Sequence, residues 1–324
     1  MKFAVIGTFW LCENMIKALL ATDGAEYYAQ YSRNLKKAEE FSKPFGKVKL
    51  FDDLETLAKD TEVDAIYIAS PNALHYEQAK LMLKNGKHVL VEKPATTTEQ
   101  EFNELCEIAD QNGLIICEAM MNAHMPHLAD MKKHIGNKSN VVTARFDFCQ
   151  RSSKIARVMA GEKGISTFSN ATFGGALADL GVYGLSLSVN LFGLPKNYRA
   201  NAHFIEQSDV DVSCNVILEY ENFDVVMSVS KLAESKIRSE IICRDCNITF
   251  DNLSRLDNLK VYSLDNELTQ LSVFTDFDKA FELEIKDFIR YSENIRDDEY
   301  LYNRFVTRNT VSLLSEIRSN VFNK

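Results

Sequence analysis

The chain has 324 residues, 46% of them hydrophobic, and a formal net charge of −9 with no basic block. That length suits two domains, and the charge speaks against a nucleic-acid surface and for a small-molecule ligand or another protein. No run of about eighteen apolar residues stands out, the segment Met1 to Gly7 is too short for a signal peptide, and the seven scattered cysteines fit a reducing cytoplasm and no membrane.

Phe3 to Ile6 reads as a buried strand ending at Gly7, and Asn14 to Thr22 as a helix with Met15, Ile16, Leu19 and Leu20 on one side. Strand, glycine, helix is the entry to a dinucleotide-binding unit. The G-x-G-x-x-G fingerprint is reduced here to Gly7-Thr8-Phe9-Trp10-Leu11-Cys12. Phe9 stands where backbone must approach a pyrophosphate, and Cys12 where a small residue helps helix pack on strand. A plain strand-to-helix turn reads the same way. Tyr27 to Tyr31 is the next strand, and Ser32-Arg33 falls where a ribose would be recognised. A guanidinium and a hydroxyl there suit a 2′-phosphate, which favours NADP(H), with NAD(H) still possible. The plain alternative has Ser32 capping a helix over Asn34 to Phe41, with Arg33 solvated.

Val48 to Phe51 is a third strand, and Asp52 caps a short helix ending near Lys59. Val63 to Ala69 is an apolar strand that ends in Ser70-Pro71-Asn72, and His75 to Asn85 is a helix closed by Gly86. His88 to Glu92 follows, with Val89, Leu90 and Val91 as a run that needs both faces covered. Glu92 and Lys93 sit at its carboxyl end, where open α/β sheets bind ligands. Pro94 stops the ladder, and Thr96, Thr97 or Thr98 caps a helix over Glu99 to Asp110. Leu114 to Cys117 is a further strand, ending in Glu118-Ala119. The alternation predicts a doubly wound parallel sheet over residues 1–120, with Gly7, Ser70, Asn72, Glu92, Lys93 and Glu118 along one edge.

Beyond about residue 120 the pattern changes. His124 to His134 reads as a helix, and His124-x-x-His127 lacks a third ligand for a metal. Cys243-Arg244-Asp245-Cys246 is a lone C-x-x-C without a second pair, so no metal site is expected there either. Val141 to Phe148 is a long strand, and Arg151 to Phe173 a loop suited to covering a site. From Gly174 apolar positions run to Phe192 as a helix, on which Asp179 and Tyr183 stand four apart on one face. They are either a buried pair that holds structure or an acid/base pair aimed at a ligand. Asp211 to Tyr220, Asp224 to Leu232, Ile237 to Cys243 and Asn258 to Leu264 read as an antiparallel meander. Such a sheet leaves one face open for substrate or for a homodimer or homotetramer contact. Amphipathic helices over Asp276 to Glu293 and Tyr302 to Ser319 close the chain.

With these residues in order, the chain resembles the Gfo/Idh/MocA family (glucose-fructose oxidoreductase, inositol dehydrogenase, MocA). The carriers are Gly7-Thr8, Ser70-Pro71-Asn72 with His75, Glu92-Lys93-Pro94, Glu118-Ala119 and His124-x-Pro126. They continue with Gly174-Gly175-Ala176-Leu177-x-Asp179-x-Gly181-x-Tyr183 and Phe281-x-x-Glu284-Ile285-x-x-Phe288. The resemblance implies a Rossmann domain over residues 1–120 and an α+β domain with an open-faced, mostly antiparallel sheet over 121–324. It implies that Gly7, Thr8, Phe9, Trp10, Leu11, Ser32 and Arg33 meet the cofactor. Ser70, Pro71, Asn72, His75, Glu92, Lys93 and Glu118 would complete that set. It also implies a catalytic Lys93 with a cis bond to Pro94, and a substrate pocket of Lys93, His124, Asp179 and Tyr183. The Tyr183 form resembles the branch of glucose-fructose oxidoreductase and dimeric dihydrodiol dehydrogenases, which favour NADP. The expected activity is hydride exchange with a secondary alcohol or carbonyl of a sugar, polyol or related cyclic alcohol. Phe9 leaves an alternative, a catalytically silent sugar-binding or regulatory protein on the same fold.

Overall fold

In the computed structural model, which describes residues 1–265, 267–273 and 276–322, strands and helices alternate up to Ala119. The order is β1 (Lys2–Ile6), α1 (Trp10–Ala21), β2 (Glu26–Tyr31), α2 (Leu35–Ser42), β3 (Lys49–Phe51) and α3 (Leu54–Ala58). Then come β4 (Ala65–Ile68), α4 (His75–Lys84), β5 (His88–Glu92), α5 (Glu99–Asn112) and β6 (Ile116–Ala119). The middle of the chain carries α6 (His127–Ile135), β7 (Val141–Cys149), α7 (Ile155–Met159) and α8 (Val182–Phe192). Seven strands follow: β8 (Asn197–His203), β9 (Ser213–Glu219), β10 (Asp224–Ser230), β11 (Ser239–Cys243), β12 (Cys246–Phe250), β13 (Lys260–Ser263) and β14 (Leu268–Gln270). Helices α9 (Phe277–Glu293) and α10 (Asp298–Phe322) end it.

The contacts divide the chain into two units, Met1–Ala119 with Asp276–Arg308, and Met120–Thr275 with Asn309–Lys324. The sequence draws one boundary near residue 120; the segment Asp276–Arg308 adds α9 and the start of α10 to the first unit. Phe288 of α9 meets Phe3 of β1 with ring centroids 5.6 Å apart. Such a return over more than 250 residues leaves no local trace in the sequence.

In the first unit six parallel strands stand in the order β3-β2-β1-β4-β5-β6, a doubly wound sheet. Its strand interiors are apolar because helices cover both faces. Two helix caps lie beyond the residues that the sequence offers for them, by two positions in α2 and by one in α3. Asn34, not Ser32, accepts the N–H of Lys37 and caps α2, while Ser32 Oγ accepts the N–H of Asn34. Asp53, not Asp52, accepts from Thr56 and caps α3. In both, the residue with extended backbone just before the first turn wins the role. Thr98 caps α5 in a capping box with Glu101. Strand β6 begins at Ile116 rather than Leu114, because the Leu114 N–H closes the end of α5 on Ala109 O.

In the second unit the strand order is β14-β13-β12-β11-β7-β10-β9-β8. The sheet is antiparallel except where β7 and β10 pair parallel. The expected meander is therefore split by β7, a strand that comes much earlier in the chain. Cys243 to Cys246 is the tight turn between β11 and β12, and all seven cysteines are free thiols. Helix α8 lies on the buried face, with Val182, Leu185 and Phe192 in one core with Val216, Met227 and Phe250. The stretch Asn170–Phe192 is long and apolar enough to cross a membrane by composition, contrary to the sequence reading. It is instead a core element, 83% of its most apolar window being buried. The segment read as a loop, 151–173, contains α7, whose Ile155 and Val158 share a small core with Phe168, Val210 and Val212.

Candidate active site

The carboxyl edge of the parallel sheet is built around three clamped peptide groups. The Lys93–Pro94 bond is cis. The Lys93 N–H donates to Glu92 Oε2 at 3.3 Å, and the Ala95 N–H to Glu118 Oε1 at 2.8 Å. Pro94 O lies 2.9 Å from His75 Nδ1, and the other ring nitrogen lies 2.9 Å from Ser70 O. Each clamp is buried. His75, Glu92 and Glu118 therefore hold the turn that carries Lys93. The clamps are themselves held. Tyr67 OH donates to Glu92 Oε1 at 2.6 Å, and Thr307 Oγ1 of α10 to Glu118 Oε2 at 3.1 Å. Burial, and next the charge of Glu92, keep the Tyr67 phenol protonated well above its ordinary range.

Burial pushes the Glu118 carboxyl up from 4.5 to about 7, against the pull of the Ala95 N–H and Thr307 hydroxyl. The fold thus binds a proton that the unfolded chain releases. This contribution to stability is complete below pH 4.5 and is lost as pH rises through about 7. Glu118→Gln should remove this part of the pH slope, on the order of 3 kcal/mol between acid and neutral pH. Urea melts of both proteins at several pH values check it, and parallel slopes would contradict it. Glu284 of α9 acts in the same sense: both carboxyl oxygens are buried without a hydrogen-bond partner among the described residues, and burial raises its pKa well above the usual range.

The Gly7 turn lies on the same edge. Gly7 has φ +137°, and a Cβ there would lie 2.6 Å from Cys12 Sγ and 2.9 Å from Ala69 O. No other residue type fits that turn, which is why this glycine is present although the rest of the fingerprint is absent. Buried Gln30 of β2 donates from Nε2 to Gly7 O at 2.6 Å and to Val5 O at 3.1 Å. The sequence marks Gln30 only as one strand residue; its polarity amid Tyr27, Ala29 and Tyr31 is the signal. Phe9 is extended and 41% exposed. Trp10 is 58% exposed and meets Phe277 edge-on at 6.2 Å. Helix α1 starts at Trp10, four residues earlier than its periodicity suggests, and no side chain caps it. Its first N–H groups are thus available to an anion. Thr8, Leu11 and Ser32 are half-buried beside this turn and the end of β2. Arg33 is exposed and makes no ion pair among the described residues. Ser70 donates to Gln78 at 2.7 Å, and Pro71 and Asn72 start the next turn. An uncapped helix, a tight glycine turn and an exposed guanidinium one strand over form a donor set that fits a phosphorylated dinucleotide.

The second unit holds the other group of named residues. Asp179 and Tyr183 do not share a regular helix, because Leu177–Gly181 forms one π turn before α8 starts. Such turns recur at functional sites. Asp179 Oδ2 is 2.8 Å from Lys231 Nζ. Lys231, at the end of β10, is 3% exposed in its side chain, donates also to Thr167 O at 2.9 Å, and lies 4.5 Å from the Phe168 ring centre. Its only trace in the sequence is a charge closing an alternating strand. Lys154 lies close by, its amine held below the ordinary lysine value by burial and then by Lys231. Tyr183 packs its ring on Phe148 at 5.7 Å, and its carbonyl accepts from Asn122 at 3.2 Å. His124 is buried, and His127 Nε2 meets Arg255 O at 2.9 Å. Among the described residues no cluster of three His, Cys, Asp or Glu is placed to hold a metal.

Comparison with known proteins matches residues 1–120 to the oxidoreductase family model with an NAD-binding Rossmann fold, and residues 136–249 to the GFO/IDH/MocA C-terminal domain. The chain is 33% identical over 319 residues to the scyllo-inositol 2-dehydrogenase (NADP(+)) of Bacillus subtilis, covering 98% of this chain and 96% of that one. It is 26% identical to a trans-1,2-dihydrobenzene-1,2-diol dehydrogenase of Xenopus laevis over 68% of this chain and 65% of that one. The solved structure of a 3-ketoreductase from Actinomadura kijaniata, in complex with NADP and TDP-benzene, shares the fold. Its TM-score is 0.83 at 20% identity, over 98% of this chain and 97% of that one.

Proposed function

The chain belongs to the Gfo/Idh/MocA oxidoreductase family, and we propose that it exchanges a hydride between NADP(H) and a secondary alcohol or ketone of a sugar, polyol or related cyclic alcohol. The observation that carries this reading is the triply clamped turn that bears Lys93 at the carboxyl end of β5. The two dehydrogenases above support the substrate class by their names, and the Bacillus subtilis one the choice of NADP. In the reading, residues 1–120 bind the nucleotide, and 121–324 bind substrate and mediate assembly. Gly7 to Leu11 and the first turn of α1 receive the pyrophosphate, Ser32 and Arg33 the 2′-phosphate, and Ser70 to Asn72 border the cofactor. His75, Glu92 and Glu118 act through the turn they hold.

When bound, the nicotinamide accepts or supplies the hydride. The proton is the protein's task. In oxidation Tyr183 takes the hydroxyl proton, and Lys93 offsets the negative charge that grows on the substrate oxygen. In reduction Tyr183 or Lys93 donates the proton. A phenol works near neutral pH only beside a cation, and a lysine supplies one. Asp179 orients substrate hydroxyls, and His124 lines the pocket.

The open face of the second sheet, with Val226 exposed between polar neighbours, suits a homodimer or homotetramer. Light scattering in solution tests that. Seven free thiols suit the cytoplasm. Trp10 makes the cofactor test direct: NADPH should quench its fluorescence and bind at least about tenfold more tightly than NADH. Arg33→Ala should erase that preference by weakening NADPH alone. Tighter NADH binding would overturn the NADP assignment, and no binding of either would overturn the function.

A further inference from the structure

A second concave site lies on the first unit, in the groove between α5 and α10, and its lining shares no residue with the carboxyl-edge turn. This open groove offers about 450 Å³, a volume in the range of small-molecule sites. One wall is apolar, formed chiefly by Leu301 and Phe305 from α10, with the buried Phe102 of α5 behind them. The other is cationic. Arg304 and Arg308 come from α10, and Arg296 from the loop before it. Asp110 is the acidic side chain on the lining, and Arg304 already holds it in a two-pronged pair at 2.6 and 3.0 Å. That leaves Arg296 and Arg308, which make no ion pair among the described residues. The nearby acids Asp297 and Glu299 do not serve them, because both are engaged by Arg290 at 2.9 and 2.7 Å. The Arg308 guanidinium instead lies 5.9 Å from the Phe305 ring centre.

Two guanidiniums that make no ion pair among the described residues thus stand beside a hydrophobic wall. Each guanidinium presents a planar fork of donors that fits a phosphate or carboxylate. We propose that this groove is a binding site for a small anionic molecule, a phosphate or carboxylate attached to an apolar body. The anion lies between Arg296 and Arg308, and the apolar body against Leu301 and Phe305. The site is independent of the proposed hydride transfer and of the residues assigned to it.

Phenyl phosphate is the probe, titrated calorimetrically into protein saturated with NADPH, so that the nucleotide edge is not an alternative. The expected result is one saturable site per chain. The double variant Arg296→Gln/Arg308→Gln should weaken it at least about tenfold, since two charge-assisted contacts are lost. Both positions are exposed, and unchanged thermal melting confirms that the variant folds. Leu301→Gln should weaken phenyl phosphate while leaving inorganic phosphate unchanged, and inorganic phosphate should bind several-fold more weakly throughout. The proposal is overturned by the absence of saturable binding, or by equal affinity in the double variant. Equal affinity for inorganic and phenyl phosphate would also overturn it, because the apolar wall would then contribute nothing.

Discussion

Lys93→Ala should lower kcat by about 10²- to 10⁴-fold and leave NADPH binding within a few-fold of the parent protein. The size follows from what an ammonium does beside a developing alkoxide: it stabilises charge and assists proton transfer in the same step. The turn should survive the change. Its three peptide groups are held by Glu92, His75 and Glu118 through backbone atoms, none of which belongs to the lysine side chain. Thermal melting should therefore shift little. Lys93→Arg should rescue poorly, because a planar, always-protonated guanidinium can neither accept nor release the proton. Single-turnover rates with NADPH already bound separate chemistry from binding. A variant with turnover within about tenfold of the parent would remove Lys93 from the chemistry and leave the family fold without its assigned catalytic group.

The strand end that carries Lys93 was legible because its signal is local. A run of three apolar residues, a charged pair and a proline specify a strand end within seven positions. The parallel sheet was legible for the same reason, since buried strands and amphipathic helices alternate with short turns. What failed to show were properties set by distant partners. Gln30 reads as an ordinary strand residue until Gly7, 23 positions earlier, needs a donor. Thr307 lies 189 positions from the Glu118 it holds. The parallel pairing of β7 with β10 inserts an early strand into what looks like a meander. The π turn is invisible for a different reason. Inserting one residue into a helical turn leaves the apolar pattern on either side intact, so the spacing of Asp179 and Tyr183 suggests a regular helical face. The caps Asn34 and Asp53 were missed by two positions and by one, because nearby polar residues compete for the same role and backbone geometry decides between them.

Lys231→Met should separate the structural and chemical roles of Asp179. The methionine keeps most of the volume and removes the charge, so a carboxylate and the Thr167 carbonyl each lose a donor. Breaking a fully buried pair costs about 3–5 kcal/mol. Asp179 is 31% exposed in its side chain, and water compensates part of the loss, so about 1–3 kcal/mol is expected here. Activity should fall as well, because the carboxylate loses the group that aims it. The double variant Lys231→Met/Asp179→Asn then divides the two effects. With no charge left unpaired, it should regain most of the lost stability. It should not regain turnover if Asp179 positions substrate hydroxyls by its charge. Recovery of both would make the pair purely structural and leave Tyr183 as the second unit's contribution to the proposed proton transfer. Recovery of neither would show that Lys231 acts through Thr167 and Phe168 rather than through Asp179.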